Sequence, residues 1–139
     1  MKFAETKIKV RYQETDQMGV VYHANYFVWF EVGRTEMIRN IGISYKEMED
    51  KGLLLPVVNV SCDYKHAARY DDELLIKTRI LKYNGFRMEF EYQIIHPKDN
   101  KLLATGITKH VWIDKSYKPV RIGKITPEIH KKIEGYINP

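Results

Sequence analysis

Near the start of the chain charged and apolar side chains alternate, with Lys7, Lys9 and Arg11 set against Ile8, Val10 and Tyr12. A period of two predicts a half-buried strand over residues 7–12, ending near Gln13. The spacing then changes. Phe27, Phe30, Met37, Ile38 and Ile41 recur mostly at intervals of three or four, with Glu31, Arg34, Glu36 and Arg39 between them, which predicts an amphipathic helix over 25–40. Asn40 and Gly42 supply its stop. Gly33 costs such a helix about 1 kcal/mol relative to alanine and points to close packing against a sheet. Ser44 and Glu47 stand in the Ser-x-x-Glu relation of a capping box, so a short helix is expected over 44–51 with Gly52 just beyond it.

Strand patterns follow at 54–64, 73–83, 86–95 and 101–114. The third is the clearest: Phe86, Met88, Phe90, Tyr92 and Ile94 fall on one face, Arg87, Glu89, Glu91 and Gln93 on the other. Asn84-Gly85 before it is a two-residue hairpin signal of type I′, a turn that needs positive φ at both positions. Residues 115–124 read as irregular, and Thr126-Pro127 opens a C-terminal helix with proline at its first position. The order is strand, long helix, short helix, then four strands in antiparallel succession. One helix with a single apolar face and a sheet of about five strands bury each other as an α+β pair of layers.

A chain of 139 residues, 44% hydrophobic and 29% charged, suits one domain over 1–139 and excludes a disordered chain. No apolar run approaches the ~20 residues that span a bilayer, and the first ten residues lack the apolar core of a secretory signal, so a cytoplasmic location is expected. Cys62 has no cysteine to pair with, and its strand-like flanks mark it as a buried structural thiol. A net charge of +5 favours an anionic partner without choosing between a phosphate-bearing small molecule and nucleic acid.

The chemistry concentrates in residues 12–26. Asp16 stands on a turn marked by Thr15 and Gly19, directly before the long helix. A helix N-terminus offers unpaired N–H groups and the positive end of a dipole, which stabilise an oxyanion growing on a carbonyl; a nearby carboxylate attacks that carbonyl or activates water. On local rules alone, an aspartate here is more often a turn former or cap than a catalyst. His23 likewise reads as a side chain that shapes the turn, with its N–H the more useful group.

The string TDQMGVVYHANYFVWFEVGRTEMI resembles the signature of the hotdog-fold thioesterases of the 4-hydroxybenzoyl-CoA thioesterase and YbgC-like group. PVVNVSCDYKHAARYDDELLI is similar to a later stretch of the same family, and the likeness runs from about Lys7 to Asp114. The resemblance implies a hotdog fold, an antiparallel sheet wrapped around one central helix. It also implies that Asp16 is the catalytic carboxylate, as nucleophile or general base, and that the His23 backbone amide polarises the thioester carbonyl. The substrate implied is an acyl-CoA, or an acyl group on acyl carrier protein. Gly19, Tyr22 and Tyr26 fall around that site, and Lys65, Arg69 and Arg87 are candidates for the CoA phosphates. The family pairs its sheets across a two-fold axis and builds active sites from two chains, which implies a homodimer or homotetramer. One departure is His66-Ala67-Ala68-Arg69, at a turn where relatives often carry proline.

Other chemistries fit less well. His23, His66, His96, His110 and His130 are dispersed and no zinc spacing appears, so neither a metal nor a cofactor is expected. Ser44, Ser61 and Ser116 lack a nucleophile elbow. Single-stranded nucleic-acid binding draws on the positive charge and ten tyrosines, yet Tyr12, Tyr22 and Tyr26 cluster at the proposed site instead of lining an open sheet. A hotdog protein that binds an acyl thioester without hydrolysing it, or that dehydrates a hydroxyacyl thioester, is the remaining alternative.

Overall fold

The structure is a computed structural model and describes residues 2–139. Strand β1 covers Ala4–Lys9, helix α1 Asn25–Ile41 and helix α2 Tyr45–Asp50. Strands β2 Val57–Tyr64, β3 Glu73–Tyr83, β4 Arg87–His96 and β5 Lys101–Val111 follow, then helices α3 Ile122–Ile125 and α4 Pro127–Ile137. The strands form one antiparallel sheet in the order β1-β3-β4-β5-β2. It packs around α1, which is the hotdog arrangement expected.

The strands are antiparallel, but not in simple succession. β2 pairs with β5 at one edge while β3 lies between β1 and β4, so residues 65–72 carry the chain across the sheet. β1 also begins earlier than its alternation suggests. Its register runs from Ala4 opposite Thr78 to Lys9 opposite Glu73, and pairing stops because β3 itself starts at Glu73; Tyr12–Glu14 is a 3-10 turn instead of strand. β2 starts at Val57, after Pro56, and Leu54 keeps only an isolated bridge to Ile113. β5 correspondingly ends at Val111, short of residue 114.

The hairpin between β3 and β4 is wider than type I′. Gly85 takes φ +85°, but Asn84 is not among the positive-φ residues. The Asn84 side-chain oxygen instead accepts the amides of Phe86 (3.0 Å) and Arg87 (2.7 Å), a local turn that asparagine favours. The stretch expected to be irregular contains α3, held by Ile122, which is fully buried. Thr126 and Pro127 open α4 as expected, with the Thr126 hydroxyl accepting from the Ile129 amide at 3.5 Å. Ser44 caps α2 by accepting from the Glu47 amide at 3.0 Å.

Helix α1 buries Tyr26, Trp29, Phe30, Gly33, Met37 and Ile38. Phe27, expected on this stripe, is 38% exposed; one residue of rotation, about 100°, turns it away while Tyr26 and Trp29 face inward. The helix backbone sits very close to the sheet at Gly33, where an added Cβ would collide with Thr78 Oγ1 and lie 2.8 Å from Ile76 Cγ2. The sheet yields in turn at Gly106, whose missing side chain leaves room for the Phe30 ring. Phe30 stacks on Tyr92 with centroids 4.4 Å apart and planes at 13°. Burying a phenylalanine is worth about 2–3 kcal/mol, and its aromatic partner adds to that.

Beside this contact lies a buried polar chain. The His110 Nδ1 is 3.2 Å from the Leu55 carbonyl and its Nε2 is 2.8 Å from Thr108 Oγ1, which is 2.6 Å from the Tyr92 hydroxyl. A carbonyl only accepts, so Nδ1 carries the proton; neutral Nε2 accepts from the Thr108 hydroxyl, which accepts from Tyr92. Burial, reinforced by the Arg34 charge, pushes the His110 pKa down to about 4.

Two outcomes follow. Gly33→Val lowers unfolding stability by about 3 kcal/mol through overpacking, whereas Gly135→Ala, where a Cβ meets nothing within 4 Å, is neutral or stabilising by up to about 1 kcal/mol; denaturant midpoints separate the two. Below the ordinary imidazole value of about 6.5 the unfolded chain takes a proton at His110 that the folded chain refuses down to about pH 4. This residue's contribution is therefore intact above pH 6.5 and declines by about 3 kcal/mol as pH falls between those limits. An NMR titration showing His110 protonated at pH 6 would contradict this.

Candidate active site

Residues 15–21 form a tight turn closed by the Thr15–Val21 bridge and by the Asp16 amide donating to Val20 O at 2.8 Å. Asp16 Oδ1 accepts the Met18 amide at 2.8 Å, and Asp16 O accepts the Gly19 amide at 3.0 Å. Gly19 takes φ +78°, a conformation glycine adopts without strain. The turn-forming role of Asp16 is thus real, but it occupies a single carboxylate oxygen. Oδ2 has no hydrogen-bond partner among the described residues.

The chain then enters α1 through Tyr22, His23 and Ala24. The Asn25 amide donates to Tyr22 O at 3.0 Å and the Tyr26 amide to His23 O at 3.3 Å. The His23 amide itself has no protein acceptor among the described residues. It is an orphan N–H of the kind every helix start exposes, at the positive end of a helix of 17 residues. The Tyr64 hydroxyl donates to the His23 carbonyl at 2.7 Å, tying this end of α1 to the last residue of β2.

Asp16, His23, Tyr26, Tyr64, Lys65 and His66 line one open cavity of about 310 Å³. Its apolar wall includes Val20 and Val21. Tyr26 and Tyr64 pack edge to face with centroids 5.0 Å apart, and burial raises the pKa of both phenols, so they stay neutral. Burial also raises the Cys62 thiol, which is half-buried on β2 and not sealed in the core as its flanks suggested.

Four of the residues picked out in sequence, Asp16, His23, Tyr26 and Lys65, meet at this cavity. Gly19 and Tyr22 belong to the same loop, Gly19 bending it and the Tyr22 ring lying against the His23 ring with centroids 4.4 Å apart and planes tilted by 44°. Arg69 is exposed on the following turn, where its amide donates to Asp72 Oδ2 at 2.9 Å. Arg87 is remote within the chain. It pairs with Val111 whereas Tyr64 pairs with Ala104, a difference of seven residues along β5, or about 23 Å of strand.

Tyr64 and His66 were not anticipated. The signal for Tyr64 is the alternation of β2, which puts Val60, Cys62 and Tyr64 on one face. Glu14 was also missed. It is 4% exposed, and a carboxylate in a polar stretch carries no mark of burial.

Among the described residues no cluster of three His, Cys, Asp or Glu side chains is arranged to hold a metal ion, and no helix is long and apolar enough to cross a membrane. Residues 10–133 match the model of the thioesterase-like superfamily. The Bacillus subtilis protein YneP is 43% identical over 135 residues, covering 96% of this chain and 97% of its own length. The acyl-CoA thioesterase YbgC of Haemophilus influenzae is 32% identical over 119 residues, 84% of this chain and 86% of its own. A DHNA-CoA thioesterase from Staphylococcus aureus superposes with a TM-score of 0.94 at 36% identity, over 99% of this chain and 92% of that one. With the family model spanning most of its length and these relatives matching over most of theirs, the chain belongs to the thioesterase-like superfamily and has its hotdog fold.

Proposed function

We propose that the chain hydrolyses an acyl-CoA to the free acid and CoA at the cavity between Asp16 and the tip of α1. The observation that carries this reading is that Asp16, with one unengaged carboxylate oxygen, and His23, whose amide has no protein acceptor, line the same 310 Å³ space. A thioester carbonyl oxygen directed at the His23 N–H gains a donor and the helix dipole as negative charge develops. Asp16 Oδ2 then either takes a proton from the water that adds to the carbonyl carbon and passes it to the sulfur as the C–S bond breaks, or adds to the carbon itself, expelling CoA as thiolate and leaving a mixed anhydride that water hydrolyses to the free acid, restoring the carboxylate and supplying the thiol proton. Lys65 stands at the cavity and Arg69 is exposed on the turn that follows, so both are suited to the CoA phosphates.

The site works as a homodimer in this reading. β2 is an edge strand whose residues are exposed on both faces apart from half-buried Cys62. It presents Val57, Val58 and Val60 at 43%, 56% and 39% exposure. A long apolar edge calls for a partner. A second β2 paired antiparallel to it continues the sheet and brings the hairpin end of the neighbouring sheet, with the partner's Arg87, toward the Lys65 end of the first.

Asp16→Asn keeps the turn acceptor at Oδ1 but removes the charge. It should lower kcat by about 10²- to 10⁴-fold with an unchanged melting temperature, measured by thiol release from butyryl-, palmitoyl- and benzoyl-CoA. Turnover equal to wild type would refute the role of Asp16, and a thioester that binds but persists would favour the non-hydrolytic reading. Val60→Lys should shift the protein to a monomer in sedimentation analysis and reduce turnover with it; an active monomer would contradict the dimeric site.

A further inference from the structure

The geometry points to Glu14 as a positioning residue: its buried carboxylate, shared between the Arg11 amide and the Trp29 indole, clamps the Asp16 turn to helix α1. This rests on the reading of the Asp16 and His23 site given above.

Glu14 holds more of the loop than any neighbour. Oε1 accepts the Arg11 amide at 2.8 Å, and the exposed Arg11 Nε approaches it at 3.5 Å. Oε2 accepts the Trp29 Nε1–H at 2.9 Å in a buried contact spanning fifteen residues. The Glu14 carbonyl accepts twice more, from Asn25 Nδ2 and from the Tyr22 amide, both at 2.8 Å. One residue thereby joins the 3-10 turn before Asp16, the residue before His23, and the first two turns of α1.

The chemistry of the site gives this clamp its purpose. Asp16 lies on a turn that crosses to the helix only at its two ends, and its Oδ2 must meet an acyl carbon whose oxygen is held by the His23 amide. Errors of about 1 Å between two such groups cost up to about a hundredfold in rate. A turn of residues 15–21 closed by its own hydrogen bonds keeps its shape, and the Val21 amide on Ala68 O ties it to the segment after β2, but neither sets its distance from α1. Glu14 and Trp29 supply that distance. A carboxylate is suited because it offers two acceptor oxygens to two donors approaching from different elements, whereas a glutamine in the same site sets its own N–H₂ against one of them.

The test is a double-mutant cycle with Glu14→Gln and Trp29→Phe, each near to the original in shape. Thiol release from butyryl-, palmitoyl- and benzoyl-CoA gives kcat and KM, and amide hydrogen exchange follows residues 14–24. Each single variant should lose about 10- to 100-fold in kcat, with KM moving less than about threefold. The double variant should be no worse than the poorer single, because both remove the same contact. Exchange over residues 14–24 should quicken in all three and stay at the wild-type rate in Ser44→Ala, which loses a helix cap away from the site. Wild-type kcat in both single variants, multiplying losses in the double, or unchanged exchange would overturn the clamp. Absence of turnover in the wild type itself would instead defeat the reading of the site and the catalytic consequence drawn here, while exchange would still decide whether the clamp exists.

Discussion

The seat of α1 on the sheet governs the rest of the molecule. At Gly33 the helix backbone comes so near Thr78 and Ile76 that no side chain fits, and at Gly106 the sheet gives way to the Phe30 ring. These two absences of a side chain fix the height of the helix, and the stack of Phe30 on Tyr92 fixes its position along the sheet. A rigid helix then carries that placement outward. Eight residues separate Gly33 from Asn25, about 12 Å at the usual rise, so the position of the helix tip is set by contacts made deep in the core.

That tip would be of little use without a partner group, and the loop before it is built to meet it. Tyr64 holds the His23 carbonyl from the side of β2, Ala68 O accepts the Val21 amide, and Glu14 binds the helix from the other end of the turn. The His23 and Ala24 amides are left without a protein acceptor among the described residues, while those of Tyr22 and Asn25 on either side are satisfied. In the interior, by contrast, His110, Thr108 and Tyr92 close on one another and on Leu55 O. Unsatisfied hydrogen-bonding capacity at a helix start is costly to bury but inexpensive at an open cavity, where water or substrate takes its place.

Much of this was legible in the chain. The helix over 25–40, the four later strands and the close approach at Gly33 follow from periodicity and from the cost of glycine in a helix. Asp16 and His23 were marked by a motif of contiguous residues, and the structure brings them to one cavity. The errors share a different character. Residue 27 was placed on the buried stripe, β1 was set three residues late, Asn84 was given positive φ, and β2 was expected to lead directly to a neighbouring strand. For residue 27, β1 and β2 the pattern of apolar residues was right and the partner was missing; at Asn84 the residue's own side chain set the turn. A stripe does not say which of two adjacent aromatic residues meets the sheet, and a strand's alternation does not say where the opposing strand begins.

What the sequence alone determined is what short-range physics controls: the kind of each element, the turn that carries Asp16, and the amide offered at the start of α1. Tertiary structure decided which groups far apart along the chain come together. The Tyr64 bond to His23 spans 41 residues and the Glu14 bond to Trp29 spans fifteen, and the distance of Arg87 from the cavity depends on strand register. Such pairings turn on how the whole sheet is ordered around the helix, and side-chain spacing within one element carries no information about that order.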